Sequence, residues 1–148
     1  MVKQMAPQVS SEQVEQDFYQ ALQQGDLQRL MACWVDDDDA LCVPPGAEPL
    51  HGLAAIRGLF AELFAAGGMR VQLVSSRRSQ GLDYAVHWVT EHVQVQSEQG
   101  AAVAVVYATN VYIKTPAGWR LLTHHASPGG MHLGTSSASM DASPNVLH

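Results

Sequence analysis

The chain has 148 residues, 47% of them hydrophobic, which is enough for one domain with a buried core. Its formal net charge of −6 and its eight scattered lysines and arginines exclude the clustered basic face that nucleic-acid binding needs. No apolar run approaches the roughly 20 residues of a membrane span, and Met1 to Gln13 lacks the apolar core of a secretory signal. Because Cys33 and Cys42 are expected to be free thiols of a reducing compartment, we expect a cytoplasmic protein.

Three helices are predicted in the first half of the chain. Ser10 resembles the cap of the first helix, which Gly25 ends; Asp26 caps the second. The third begins at Gly52 or Leu53. Apolar residues recur in each at the spacing of one helix face. These faces are Val14, Phe18, Ala21 and Leu22; Leu27, Leu30, Met31 and Trp34; and Leu53, Ile56, Phe60, Leu63 and Phe64.

Strands are predicted for most of the remainder. Residues 40–43 form a short strand that ends at Pro44-Pro45-Gly46, and residues 44–51 form a loop. Four longer strands are predicted over residues 69–79, 84–96, 101–114 and 119–127. Helices followed by such a meander predict an α+β domain, which we place at residues 10–128. Residues 1–9 are expected to be a loose N-terminus, and residues 129–148, rich in Ser, Ala and Gly, a flexible tail.

The long strands are apolar on both faces. One face can be covered by the helices, but the other would leave several apolar side chains in water. An exposed apolar sheet face usually marks a partner surface, so we expect a homodimer through the strands of residues 84–113. The residues that motivate this prediction are Ala85, Val89, Val93, Val103, Val105 and Val111.

Four segments match the pattern of a known superfamily. The first segment, Phe18–Leu27, is a helix that ends in Gly-Asp-Leu and leads into a second helix. The second is a loop and third helix, from Cys42 through Gly52 to Arg57. The last two are the start of a long strand at Asp83–Val86 and a closing strand at Gly118–Arg120 with His125–Pro128. In this order they resemble the SnoaL-like, or nuclear-transport-factor-2-like, superfamily over residues 12–128. The resemblance implies a cystatin-like fold: three helices packed on a strongly curved, mostly antiparallel sheet that forms a cone with an internal pocket.

The resemblance implies a fold more firmly than a reaction. The superfamily includes isomerases, cyclases, dehydratases, oxygenase small subunits and non-catalytic binding domains. Its steroid isomerases use a carboxylate base in the loop after the short strand, where this chain has Cys42-Val43-Pro44-Pro45. Their tyrosine donor corresponds to Phe18, next to Tyr19, and their second carboxylic acid falls near Asn110. Because the base is missing, steroid-isomerase activity is not expected.

Two orientations of the strand at residues 84–96 remain open: either Trp88, Thr90 and His92 face the interior, or His87, Val89 and Glu91 do. The placement of Ala85 favours the first, and a mostly apolar pocket with a few polar groups is then predicted. Asn110 and His125 are the predicted catalytic residues: Asn110 would donate a hydrogen bond to an enolate-like oxygen, and His125 would move a proton. His125 is placed inside, and His124 outside with Arg120, whose charged head can then reach water. The other predicted pocket-lining residues are Tyr19, Trp34, Trp88, Thr90, His92, Tyr112 and Thr123.

Two functions remain open. The first is binding of a small hydrophobic carbonyl compound without a cofactor, with isomerase, dehydratase or cyclase chemistry. The second is a non-catalytic ligand-binding or protein-association module that uses the sheet face, with Asn110 and His125 as satisfied core groups. No metal site is predicted, because His124 and His125 point apart on a strand and the four aspartates at 36–39 suit a solvated turn.

Overall fold

The computed structural model describes residues 10–133. Three helices and four long strands are found where the sequence patterns predict them, together with β2, a two-residue strand in the predicted loop. The elements in chain order are α1 (Ser11–Gln24), α2 (Leu27–Ala32), β1 (Leu41–Val43), β2 (Leu50–His51), α3 (Leu53–Ala65), β3 (Arg70–Gln80), β4 (Tyr84–Ser97), β5 (Gly100–Thr115) and β6 (Gly118–Leu133).

Local chemistry explains where α1 and α2 begin and end. The Ser10 hydroxyl accepts a hydrogen bond from the backbone N–H of Gln13 at 3.1 Å. The Asp26 carboxylate accepts one from the backbone N–H of Arg29, also at 3.1 Å. Each bond satisfies a donor that the first turn of a helix leaves unpaired. Gly25 ends α1 with a φ of 69°, a left-handed conformation that costs a glycine little.

All six strands form one curved sheet, in the order β2-β1-β6-β5-β4-β3. The short β1 pairs with β6 in parallel, and every other pair of neighbouring strands is antiparallel. The helices cover one face of this sheet, which we call the inner face, and the core between them includes Phe18, Leu30, Ile56 and Tyr112. The predicted α+β architecture, helices packed on a curved and mostly antiparallel sheet, is therefore confirmed.

The last strand is longer than predicted. It runs to Leu133, and its final residues pair with β5, for example His132 with Val103. The expectation of a flexible tail from residue 129 is therefore wrong for residues 129–133. The sequence is misleading here because Pro128 suggests a stop, whereas it lies beside an irregularity in the pairing, where a missing N–H is tolerated. Residues 1–9 and 134–148 lie outside the described part, and the predictions made for them stay predictions.

Both cysteines are buried and unpaired, as predicted. Burial raises the pKa of each thiol to about 12, and the rise is increased by the charge of Asp17 at Cys33 and of Glu91 at Cys42. Within residues 10–133, no group of three or more His, Cys, Asp or Glu side chains is placed to bind a metal ion. No helix in this part of the chain is long and apolar enough to cross a membrane.

Candidate functional site

A bulge in β6 decides which of the two adjacent histidines lies inside the protein. Tyr112 pairs with Leu121, and the preceding residue of β5, Val111, pairs with Thr123, so β6 carries one extra residue, Leu122, between them. Such a bulge shifts the alternation of side chains by one position. His124 is consequently buried, 8% exposed, whereas His125 is exposed on the outer face. The prediction that His125 faces the interior is wrong. Thr123, which was also predicted to line the internal pocket, lies on the outer face together with His125.

The preferred orientation of β4 is also wrong, and the alternative orientation is the one observed. Trp88 is 47% exposed on the outer face, and the predicted pocket residues Thr90 and His92 share that side of the strand. The inner face instead carries His87 and Glu91, both buried. Because β4 is apolar on both faces, hydrophobicity alone does not choose between them. The other predicted residues, Tyr19, Trp34, Asn110 and Tyr112, are buried in the interior.

Four of the buried side chains form one hydrogen-bond chain. The Tyr19 hydroxyl donates to Glu91 Oε2 at 2.6 Å, and Asn110 Nδ2 donates to the Tyr19 oxygen at 3.1 Å. Asn110 Oδ1 lies 2.6 Å from His124 Nδ1. Because an amide oxygen only accepts hydrogen bonds, the proton of neutral His124 is on Nδ1 and its Nε2 is left as an acceptor.

Burial controls the protonation of this chain. It raises the pKa of the Glu91 carboxyl, and the hydrogen bond from Tyr19 opposes that rise. It lowers the pKa of His124 to about 4, with a smaller contribution from the charge of His125. Burial and then the charge of Glu91 raise the pKa of Tyr19 well above its ordinary value. At neutral pH, Tyr19 and His124 are therefore both uncharged.

A second polar cluster surrounds Glu15. This carboxylate accepts hydrogen bonds from Ser76 at 2.8 Å and Arg78 at 2.9 Å, and it lies 3.1 Å from His87 Nδ1. Burial alone would raise the pKa of Glu15, but the hydrogen bonds from these three side chains bring it below the ordinary value. The hydroxyl of Ser11 lies 2.9 Å from His87 Nε2.

The side-chain contacts run from Ser11 to His87 and from His87 to Glu15, which is the order of serine, histidine and acid in the catalytic triad of a hydrolase. A nucleophile must meet its substrate, however, and neither Ser11 nor His87 has any exposed surface. The cluster therefore joins α1 to the sheet, and we assign it no chemistry.

Both polar clusters depend on one stripe of α1. Ser11, Glu15 and Tyr19 are spaced four residues apart, which places them on the same face of a helix. All three are buried against the sheet. The sequence contains this signal as polar residues that repeat at helical spacing within an otherwise apolar face, but the pattern of apolar residues alone does not reveal it.

Two depressions open at the surface of the described part of the chain. A cleft of about 1050 Å³ lies between the ends of α1 and α3 and the sheet, and its lining includes Val71 and Val93. Val93 follows Glu91 on the inner face, so the cleft adjoins the Glu91 end of the hydrogen-bond chain. A groove of about 830 Å³ lies on the outer face, where its lining includes Trp88 and His125.

Solved structures with this architecture include several relatives. A protein from Thiobacillus denitrificans, provisionally described as a calcium/calmodulin-dependent protein kinase type II association domain, is 33% identical; the match covers 86% of this chain and 100% of that one, with a TM-score of 0.73. A provisionally assigned dehydratase of the NTF2-like family from Streptomyces avermitilis is 29% identical over 78% of this chain and 91% of that one, with a TM-score of 0.69.

More distant matches show the fold alone. An NTF2-like protein with a cystatin-like fold from Novosphingobium aromaticivorans is 22% identical over 86% of this chain and 82% of that one, with a TM-score of 0.64.

No curated protein matches the chain. The model of the SnoaL-like domain matches residues 12–131. The chain therefore belongs to the SnoaL-like family.

Proposed function

We propose that this domain binds a small, mostly apolar carbonyl compound and moves a proton on it, as an isomerase, dehydratase or cyclase does. The observation that carries the proposal is the buried hydrogen-bond chain that ends in His124 and Glu91. Burying titratable groups costs folding free energy, and groups with shifted pKa values cluster at functional sites. The similarity to the dehydratase-like protein of Streptomyces avermitilis also supports it.

His124 takes the proton-transfer role predicted for His125. Burial keeps His124 neutral at physiological pH, so Nε2 keeps a lone pair that can accept a proton. Asn110 is engaged with both Tyr19 and His124, which makes it a positioning residue for the imidazole. Glu91, at the other end, accepts the hydrogen bond of the Tyr19 hydroxyl and so fixes the position of the chain.

Exchange of carbon-bound protons tests this function without knowledge of the natural substrate. In D₂O, the protein should accelerate the exchange of the protons next to the carbonyl of 1-tetralone, followed by ¹H NMR. His124→Gln should remove the acceleration, because an amide is not a base. His125→Gln is the matched control and should leave it unchanged. An exchange rate equal to that of buffer with the wild-type protein would contradict the proposal.

Self-association is a second function, carried by the outer face of the sheet. Trp88 and Tyr107 are 47% and 43% exposed, and they lie diagonally on adjacent strands because Trp88 pairs with Thr109 and Thr90 pairs with Tyr107. Exposed aromatic side chains are typical of protein interfaces. The similarity to the Thiobacillus protein described as an association domain supports a second copy of this chain as the partner.

Sedimentation velocity at micromolar concentration tests this association. The wild-type protein should sediment as a dimer or larger assembly, and Trp88→Ser should sediment as a folded monomer. Leu82→Ser is the matched control, since Leu82 is 93% exposed in the turn before β4. A monomeric wild-type protein would contradict the predicted homodimer through residues 84–113.

A further inference from the structure

The groove on the outer face lies between two rows of side chains that cross the sheet. In one row, Trp88 on β4 pairs with Arg77 on β3 and with Thr109 on β5. In the neighbouring row, Thr90 pairs with Tyr107. Trp88 and Tyr107 are thus diagonal neighbours, which are separated by about 7–8 Å in a sheet. Since a stacked ring needs about 3.5 Å on each side, this separation admits one flat ring between the two.

Gly129 holds the ring of Tyr107 at one wall of this groove. A Cβ atom on Gly129 would lie 2.5 Å from Cε2 of Tyr107, so the ring lies directly against the glycine. Gly129 is two residues beyond Ser127, the partner of Tyr107, and is therefore on the side of Tyr107 that faces away from the row of Trp88. The space beside Trp88 stays open. The groove measures about 830 Å³, within the range of about 300–1,000 Å³ that small-molecule sites occupy.

The groove carries positive charge and no acid. Glu91 is the only acidic residue in the six strands, and its side chain is buried on the inner face. None of the residues that line the groove is acidic. Arg77 is exposed at the groove and forms no salt bridge with any described residue. A guanidinium that has no carboxylate partner within the protein is free to pair with the anion of a ligand.

We propose that this groove binds a planar aromatic carboxylate, with its carboxylate on Arg77 and its ring between Trp88 and Tyr107. A guanidinium binds a carboxylate through two parallel hydrogen bonds, and the faces of tryptophan and tyrosine stack on a flat ring. The order across the sheet matches such a ligand, because Arg77 is on the edge strand β3 and the two aromatic residues follow on β4 and β5. The carboxylate then points towards the β3 edge of the sheet.

This groove is separate from the interior site of the proposed proton transfer, and the inference does not rest on that function. The groove does share Trp88 with the proposed self-association. A bound ligand and a second copy of the chain therefore compete for this side chain. By mass action, a ligand that binds only the monomer shifts the equilibrium away from the assembly.

Titration of ¹⁵N-labelled protein with 2-naphthoate tests this inference. Of the three tryptophans, Trp34 and Trp119 are buried and Trp88 lines the groove. The indole signal of Trp88, identified with Trp88→Phe, should shift in a saturable manner while the other two stay in place. The neutral compound 2-naphthalenemethanol has the same rings and should bind about tenfold more weakly, the effect of losing about 1.4 kcal/mol. Equal affinities for the two compounds, or a Trp88 signal unmoved by millimolar 2-naphthoate, would overturn the inference.

Arg77→Gln provides the second arm. It should weaken 2-naphthoate binding about tenfold and leave the binding of 2-naphthalenemethanol unchanged. Arg57→Gln is the matched control, since it removes the same charge from an exposed position of α3, and it should keep the wild-type affinity. An Arg77→Gln variant with wild-type affinity for 2-naphthoate would overturn the inference.

Sedimentation velocity separates this inference from the proposed self-association. Addition of 2-naphthoate should shift the wild-type protein towards the monomer, and the same concentration should shift Arg77→Gln less. If the wild-type protein is monomeric without ligand but its Trp88 signal responds to 2-naphthoate, the ligand site stands and the self-association fails.

Discussion

His124 and Asn110 face each other on neighbouring strands, with His124 Nδ1 2.6 Å from Asn110 Oδ1. The amide nitrogen of Asn110 is already committed to Tyr19, so its oxygen is the atom that meets the imidazole. This arrangement selects one tautomer of a neutral histidine. Burial also disfavours the charged form at neutral pH, because it removes the water that would solvate an imidazolium.

We predict that His124 makes the protein sensitive to mild acid. Its pKa falls from 6.5 to about 4 on folding. Between these values the unfolded chain binds more protons, so the free energy of unfolding should fall as the pH falls, by about 3 kcal/mol in total. Urea unfolding between pH 7 and pH 4 should show a flatter profile for His124→Gln than for the wild type. His125→Gln should keep the wild-type slope; identical slopes in all three proteins would refute the assignment.

Glu91 should produce the opposite pH dependence. Its pKa is raised in the folded state, so its contribution to stability is fully present below the ordinary value of 4.5 and is lost as the pH rises through the folded value. Glu91→Gln removes the cost of ionising a buried carboxyl. The variant should therefore gain stability relative to the wild type as the pH rises above 4.5, measured by urea unfolding. Parallel profiles for the two proteins would show that Glu91 is not buried as a titrating group.

Glu15→Ala should destabilise the protein by about 3 kcal/mol in urea unfolding, since His87 would lose its buried partner. The loss lies at the lower end for a buried ion pair because the Arg78 side chain is 40% exposed and can reach water. Glu12→Ala is the matched control on an exposed position of the same helix and should change stability by less than about 0.5 kcal/mol. Equal effects of the two substitutions would contradict the cluster.

The two thiols should be unreactive in the folded protein. Only the thiolate is nucleophilic, and a pKa of about 12 leaves Cys33 and Cys42 protonated at pH 8 as well as buried. Iodoacetamide at pH 8 should therefore label neither cysteine in native protein within an hour, and mass spectrometry should find both labelled in urea. Rapid labelling of native protein would show that the core opens at one of these positions.

The fold was predictable because its signals are local. Ser10, Gly25 and Asp26 mark helix ends by their own chemistry, and apolar spacing distinguishes helix from strand. The order of the helices and strands along the chain then leaves few ways of arranging them in one sheet. None of these signals depends on which face of a strand is buried.

The site was less predictable because it depends on strand faces. The bulge occurs at Leu122, a residue with no preference for bulges, and it exchanges the positions expected for His124 and His125. On β4, the polar residues His87 and Glu91 are buried because α1 supplies partners for them, which no property of β4 itself reveals. Each error reflects an interaction between segments distant in sequence.

The polar stripe of α1 also restricts how that helix can slide along the sheet. Apolar packing alone would tolerate a displacement of one turn, about 5.4 Å, because similar side chains recur at that interval. In one direction, such a slip would place the carboxylate of Glu15 where Tyr19 now meets Glu91, and two negative charges would face each other in the core. In the other direction, the phenol of Tyr19 would replace the anion that Arg78 requires. The correct alignment is thus the one in which every buried charge has an opposite partner or a hydrogen-bond donor.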